Sequence, residues 1–220
     1  PELTGALRAF GQQHRVTLFM VLRAALYTLL FRLTGQADIV VGVPIMHRDR
    51  METERLIGLF LDTLAMRTWL TGTQAFHELL DQVRNVVLSA ETHRHLPFDQ
   101  LIAAIQPERD LNRHPLFDVM LNVVDLPFRQ TLAPRGTTAQ PFDRPEIAAK
   151  CALELYAWKD GDQLALTLLY RRALFSSTRV AALLDQMEVL LEQLVAMPNL
   201  PLHRFTLVTP NARQVLPGQH

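Results

Sequence analysis

Apolar and polar positions divide the chain into helical and extended stretches that alternate. Leu3, Ala6, Leu7 and Phe10 share one helical face across residues 3–14, which predicts a short helix lying on a core, with Gly11 weakening its end. Thr17 is placed to accept orphan backbone N–H groups of a second helix, and Val16 and Val21 stand at hydrophobic-staple positions. This helix runs to Leu33 or Thr34, with Gly35 as a left-handed cap, and its apolar residues cover nearly every face, which predicts a central position. Asp38 to Met46 is a near-continuous β-branched run of the kind buried on both faces of a sheet, and Pro44 predicts that pairing stops near its far end. His47 to Arg55 reads as a solvated loop or short helical excursion. Phe60 to Leu70 forms a second strand, ended by Gly72.

Phe76, Leu79, Leu80, Val83, Val86, Val87 and Ala90 recur at helical spacing. Pro97 opens another short helix through Ile105, since proline is tolerated at a first helical position. Leu116 to Val124 is strand-like. Residues 127–145 hold prolines, Gly136 and Thr137 in an order too irregular for a regular element, and form a loop expected to be mobile in the isolated chain. Leu153 to Trp158 and Leu164 to Tyr170 flank Lys159-Asp160-Gly161-Asp162, a hairpin turn sequence. Ser176 or Ser177 caps a last long helix with the stripe Val180, Leu183, Leu184, Met187, Leu190, Leu191, Leu194 and Val195, stopped by Pro198 and Pro201. Strands alternating with helices, without internal repeats, predict an α/β layer with a mixed sheet flanked by helices.

Composition narrows the function classes. The 220 residues carry 22 basic and 22 acidic side chains, so the electrostatic footprint of phosphate-backbone binding is absent and no nucleic-acid partner is expected. Cys151 is the one cysteine; it can form no internal disulfide or cysteine-rich metal site, and a reducing, cytoplasmic setting is the expectation. It falls in a predicted strand as a small buried hydrophobe. The apolar stretch from Val16 to Phe31 carries Arg23 and is shorter than the ~20 residues a bilayer span needs, so it reads as a buried helix and no membrane partner is expected. The chain opens at Pro1 rather than Met and reads as a fragment or processed piece of a longer protein.

No catalytic constellation stands out in these residues. The eight histidines show no ligand spacing: His93 and His95 point to opposite sides of a strand, or about 200° apart on a helix, so no metal is expected. No glycine-rich loop introduces a helix to cradle a phosphate. Taken alone, the pattern describes an α/β domain without visible chemistry.

Three segments carry the reading further. Ile57-Gly58-Leu59-Phe60-Leu61-Asp62-Thr63-Leu64-Ala65-Met66-Arg67 resembles the fifth core motif, I-G-x-F-V-N-T-x-x-x-R, of nonribosomal peptide synthetase condensation domains. His93-Arg94-His95-Leu96-Pro97-Phe98-Asp99 resembles the sixth, H-Q-D-x-P-F-E, and Arg109-Asp110-Leu111-Asn112-Arg113-His114-Pro115-Leu116-Phe117 the seventh, R-D-x-S-R-x-P-L-F. The segments T-L-F-M-V-L and D-I-V-V-G-V-P resemble the family's sequence upstream, so the likeness runs from about Leu3 to Thr209. The catalytic H-H-x-x-x-D-G motif belongs to the family's N-terminal lobe, and no two histidines are adjacent in this sequence.

The resemblance therefore implies the C-terminal lobe of a condensation domain: one chloramphenicol-acetyltransferase-like lobe over residues 1–207, then a linker over 208–220 towards a following adenylation domain. In the intact domain it implies amide formation between acyl and aminoacyl thioesters carried on phosphopantetheine arms. The implied partners are the N-terminal lobe and the donor and acceptor carrier proteins; no cofactor is bound directly, and the isolated lobe is expected to be inactive and to self-associate. No catalytic residue is expected in this lobe. Val43, Asp62, Thr63 and Arg67 are the candidates for contact with the interlobe tunnel. Gly58, Phe60, His93, Pro97, Phe98, Asp99, Arg109, Asp110, Arg113, Pro115, Leu116 and Phe117 are read as motif residues with mainly structural roles, the large apolar ones as core and the arginines as ion pairs or caps, with Asp110 the local partner. Departures stand out: Asp62 replaces Asn, Arg94 and His95 replace Gln and Asp, Asn112 replaces Ser, and Cys151-Ala152-Leu153 replaces Phe-Asp-Leu, losing an acidic contact. A non-catalytic docking lobe, or a lobe of a related epimerisation or cyclisation domain, are the alternatives.

Overall fold

The computed structural model describes residues 2–46, 56–58, 60–108, 110, 113–124, 148–160 and 163–215. Helices α1 (Glu2–Gln13) and α2 (Leu18–Thr34) lead into strands β1 (Asp38–Met46) and β2 (Leu61–Trp69). Helices α3 (Phe76–Thr92) and α4 (Phe98–Ile105) follow, then β3 (Val119–Val124), β4 (Leu153–Asp160) and β5 (Gln163–Tyr170). Helix α5 (Ser177–Ala196), a 3-10 turn (Leu202–Arg204) and α6 (Pro210–Val215) close the described chain. The strands form one mixed sheet in the order β2-β1-β3-β4-β5, parallel at its centre and antiparallel at both margins.

Local chemistry explains the helix ends. Thr17 Oγ1 accepts from the Met20 backbone N–H at 3.3 Å, and Gly35 adopts a left-handed φ of 72° while its N–H returns to Phe31 O at 2.8 Å. Ser176, rather than Ser177, caps α5 through Arg179 N at 3.2 Å. Gly11 does not end α1. It lies inside the helix because the chain doubles back over it: Val16 N bonds Gly11 O at 2.9 Å, and a Cβ on Gly11 would stand 2.9 Å from Val16 O.

Helix α2 is central, with every residue from Met20 to Leu29 buried. It packs with α1, α3 and α5 on the sheet face bearing Ile39, Val41, Leu121, Leu155 and Ala157, and Phe76 joins the cluster between Phe10 and Phe205. Leu22, Leu79 and Leu190, wholly buried, each gain about 1.5–3 kcal/mol from leaving water. On the opposite face a smaller cluster of Phe117, Met120 and Cys151 packs with Val40, Ala65, Leu116 and Phe98 of α4.

Several boundaries differ from expectation. Pairing does not stop at Pro44: β1 stays in register with β2 through Pro44 opposite Thr63 to Met46 opposite Leu61, while its pairing with β3 is confined to Val41 and Gly42. The missing N–H therefore costs no ladder bond to β3. The third strand begins at Val119 rather than Leu116, and Cys151 lies on a bend ahead of β4 rather than in a strand. Residues 208–215, read as the start of a linker, carry α6, whose first turn Thr209 caps through Ala212 N at 3.2 Å. The loop expected over 127–145, the polar stretch 47–55 and the turn residues Gly161 and Asp162 lie outside the described residues.

Candidate functional site

The four tunnel candidates sit on the ribbon made by β1 and β2, where Val43 faces Leu64, Ile45 faces Asp62, Pro44 faces Thr63 and Val40 faces Arg67. Side chains alternate along a strand, so Val43 and Asp62 lie on the face covered by α2, and Thr63 and Arg67 on the other. Val43 is buried; Asp62 is half-buried, with Oδ1 accepting the Thr63 backbone N–H at 2.7 Å. Arg67 stands about 17 Å along the strand from Asp62. It forks onto Asp38, with Nε to Oδ1 at 2.8 Å and the second nitrogen to Oδ2 at 2.7 Å, and its guanidinium carbon stands 5.1 Å from the Trp69 ring centre. These bonds hold the Asp38 carboxyl below, and the Arg67 guanidinium above, their ordinary pKa values. The pair is exposed and screened, so it orients Arg67 more than it stabilises the fold.

Arg67 also lines a groove of about 720 Å³ between β2 and α3 with Glu78, Asp81, Asn85 and His93. His93, at the end of α3, bonds Ser89 O at 2.8 Å and Thr92 Oγ1 at 2.9 Å. Two of the motif segments thus meet at one groove.

All three converge on the second sheet face. Phe98 meets Phe117 edge-on at 5.9 Å, His114 stacks on Phe117 at 3.8 Å, and Ala65 packs against the same group. Phe117 fits closely against β1: a Cβ on Gly42 would lie 2.2 Å from its Cε2 atom, so only glycine leaves room for the ring. Of the motif apolar residues read as core, Phe117 is buried, Phe60, Phe98 and Leu116 are half-buried, and Pro97 is exposed as the cap of α4. Pro115 and Gly58 are exposed, and Asp99 sits in the first turn of α4, where a carboxylate complements the helix dipole. Arg109 and Asn112 lie outside the described residues. Arg113 donates its guanidinium N–H groups to the Asp118 carboxylate and its backbone N–H to the Asp110 backbone carbonyl at 3.2 Å. The turn into β3 brings Asp118 to the guanidinium.

Burial sets the chemistry of this cluster. It holds the His114 imidazole below its ordinary 6.5, and Nδ1 is buried without a hydrogen-bond partner. It pushes the Cys151 thiol up to about 11, with Glu154 adding to the shift, which excludes a thiolate nucleophile near neutral pH. Glu154 is buried, and its carboxylate accepts from the Lys150 backbone N–H, from Cys151 N at 3.2 Å and from the Tyr156 hydroxyl at 3.0 Å. The alternating pattern of β4 contained this signal, a charged residue on the non-helical face. Arg94, a departure from the motif, reaches Met46 O at 2.7 Å and pairs with Glu91, tying the end of α3 to the end of β1. The i,i+4 pair Arg23 and Tyr27 was also missed: Tyr27 accepts from Arg23 at 3.1 and 2.8 Å and donates to Met66 O at 2.6 Å, joining α2 to β2. Among the described residues no cluster of histidine, cysteine and carboxylate could hold a metal, and no single helix is long and apolar enough to cross a membrane.

The condensation-domain family profile matches residues 1–216. One component of the linear gramicidin synthase of Brevibacillus parabrevis is 37% identical over 216 residues, spanning 97% of this chain and 3% of that protein. Surfactin synthase subunit 1 of Bacillus subtilis (strain 168) is 33% identical over 211 residues, 96% of this chain and 6% of that protein. The chain therefore spans a few per cent of these relatives' length. Among solved structures, a four-domain nonribosomal peptide synthetase, holo-AB3403 bound to AMP and glycine, superposes with a TM-score of 0.86 at 20% identity, covering 95% of this chain and 17% of that one. The X-domain from teicoplanin biosynthesis gives 0.83 at 23% identity, covering 93% and 47%. The shared architecture is the chloramphenicol-acetyltransferase-like mixed sheet with flanking helices. With a profile match over nearly its whole length and relatives above 30% identity in peptide synthetases, the chain belongs to the condensation-domain family.

Proposed function

We propose that this chain is the C-terminal lobe of a condensation domain that joins carrier-bound acyl and aminoacyl thioesters during nonribosomal peptide synthesis. The observation that carries the reading is the convergence of the three motif segments, through Ala65, Phe98, Leu116 and Phe117, on one side of a single five-stranded sheet. Two facts support the lobe assignment: no two histidines are adjacent in the sequence, and the chain spans 46% of the solved first condensation domain of the CDA synthetase, with a TM-score of 0.73.

In this reading the acceptor amine attacks the donor thioester carbonyl. The C–N bond forms, the C–S bond breaks, and the donor arm leaves as a thiol carrying the proton the amine gives up. The histidine motif of the N-terminal lobe assists that proton's departure. This lobe supplies one tunnel wall and contacts to the carriers. Bringing both phosphopantetheine arms into one tunnel makes the encounter effectively unimolecular. In this reading the far end of the β1–β2 ribbon borders the tunnel, Asp62 and Thr63 from its two faces with Val43 buried behind Asp62; Arg67, held by Asp38, lines its approach. Asp62 in place of an amide offers the incoming amine an acceptor-only group. In the two-lobed protein containing this chain, Asp62→Asn is expected to change kcat/KM for the aminoacyl carrier by about tenfold, with donor loading unaltered. Unchanged acceptor kinetics in both Asp62→Asn and Thr63→Val would remove the ribbon from the tunnel. The following adenylation domain and the cytoplasmic setting belong to the same proposal.

A further inference from the structure

At the opposite end of the strands from Asp62, a cavity of about 500 Å³ lies between α2, α5 and the sheet. Leu29, Leu30, Leu33, Leu153, Phe175 and Leu183 contribute apolar wall, and its rim carries Gln36, Asp38, Asp118 and Arg179. A partly open pocket this large, lined by leucines, is of the size and character of a small-molecule site. Charge selects the occupant. Both rim carboxylates are already neutralised, Asp38 by Arg67 and Asp118 by Arg113. Arg179 is exposed, its side chain is paired with no carboxylate among the described residues, and it stands in the first turn of α5, where the helix dipole also favours an anion. The rim thus presents one unneutralised cation above an apolar chamber.

We propose that this cavity binds a single-chain anionic amphiphile, with the alkyl chain between α2 and α5 and a carboxylate at Arg179. The site lies at the Asp38 end of β1, away from Asp62 and Thr63, and the proposal does not rest on the amide-forming reading. Isothermal titration of the full chain with octanoate and decanoate as monomers, and with 1-octanol as the neutral control, tests it. Saturable one-to-one binding is expected, tightening by about fifteenfold over two added methylenes. Arg179→Gln should weaken octanoate about tenfold and leave 1-octanol unchanged. Leu183→Phe and Leu29→Phe, which fill the chamber from facing helices, should abolish binding while circular dichroism shows the fold retained; either variant that folds is sufficient. No saturable binding of decanoate, equal losses of acid and alcohol in Arg179→Gln, binding that survives a folded cavity-filling variant, or adsorption to lipid vesicles without uptake of monomeric decanoate would each overturn the proposal.

Discussion

Arg23 is wholly buried in the centre of α2, and burial lowers its pKa; the Tyr27 hydroxyl accepts two of its N–H groups while a third nitrogen has no partner. Tyr27→Phe removes that acceptor and leaves a buried cation exposed to the full desolvation penalty, so a loss of about 3–5 kcal/mol is expected in urea unfolding. Replacing both, Arg23→Leu with Tyr27→Phe, should recover most of it; a double variant as unstable as the single one would show that the Tyr27 hydrogen bond to Met66 O of β2 matters more than the charge. Cys151 gives a second test. Its thiol should react slowly with a disulfide reagent in the native state and rapidly in denaturant. Because its folded pKa is raised from 9.0 to about 11, its contribution to stability is complete below pH 9 and fades as pH climbs towards 11, so Cys151→Ala should show a flatter profile in that window. Single-residue chemistry was legible where it is local, as at Thr17 and Gly35. It was not legible where the fold selects among neighbours: Arg113 had carboxylates at Asp110 and Asp118 within reach, and the turn into β3 chose the second.

At the scale of elements, Gly42 of β1 and Phe117 ahead of β3 fit as a pair. Gly42→Ala is expected to destabilise by about 1–3 kcal/mol, because the buried ring, held by Phe98 and His114, cannot yield. Adding Phe117→Leu should lessen the penalty, and a strictly additive double variant would contradict the contact. His114 makes the same cluster pH-sensitive. Its folded pKa is depressed below 6.5, so the stability it lends is present above that value and is lost as pH falls through it and the unfolded chain takes up the proton. Urea midpoints at pH 7 and pH 5 should therefore differ less for His114→Gln than for the parent. The helices were readable because the 3.6-residue period and the caps are written locally. The strand ends were less so: Leu116 and Phe117 have strand-like character but turn into the small cluster, and nothing local to Pro44 tells that β3 has already parted from β1.

Strand order joins Val41 to Val119 and Met120 to Glu154, pairings that no local pattern encodes; the family motifs pointed to the lobe but not to these partners. At the far end of the ribbon, Met46 and Leu61 are cross-strand partners and both exposed, at 46% and 56%. Neighbouring exposed apolar side chains of this kind mark an interaction surface when they extend into a patch. The isolated chain is accordingly expected to self-associate through this end, and sedimentation should show Leu61→Asp moving it towards monomer; an unchanged distribution would place the contact elsewhere. The lobe assignment has the most direct test in complementation. The chain is mixed with two loaded carrier proteins, with and without an N-terminal lobe bearing the adjacent-histidine motif, and the amide product is followed by mass spectrometry. Product should form only when the second lobe is present; product from this chain and the carriers alone, above the uncatalysed rate, would contradict the assignment.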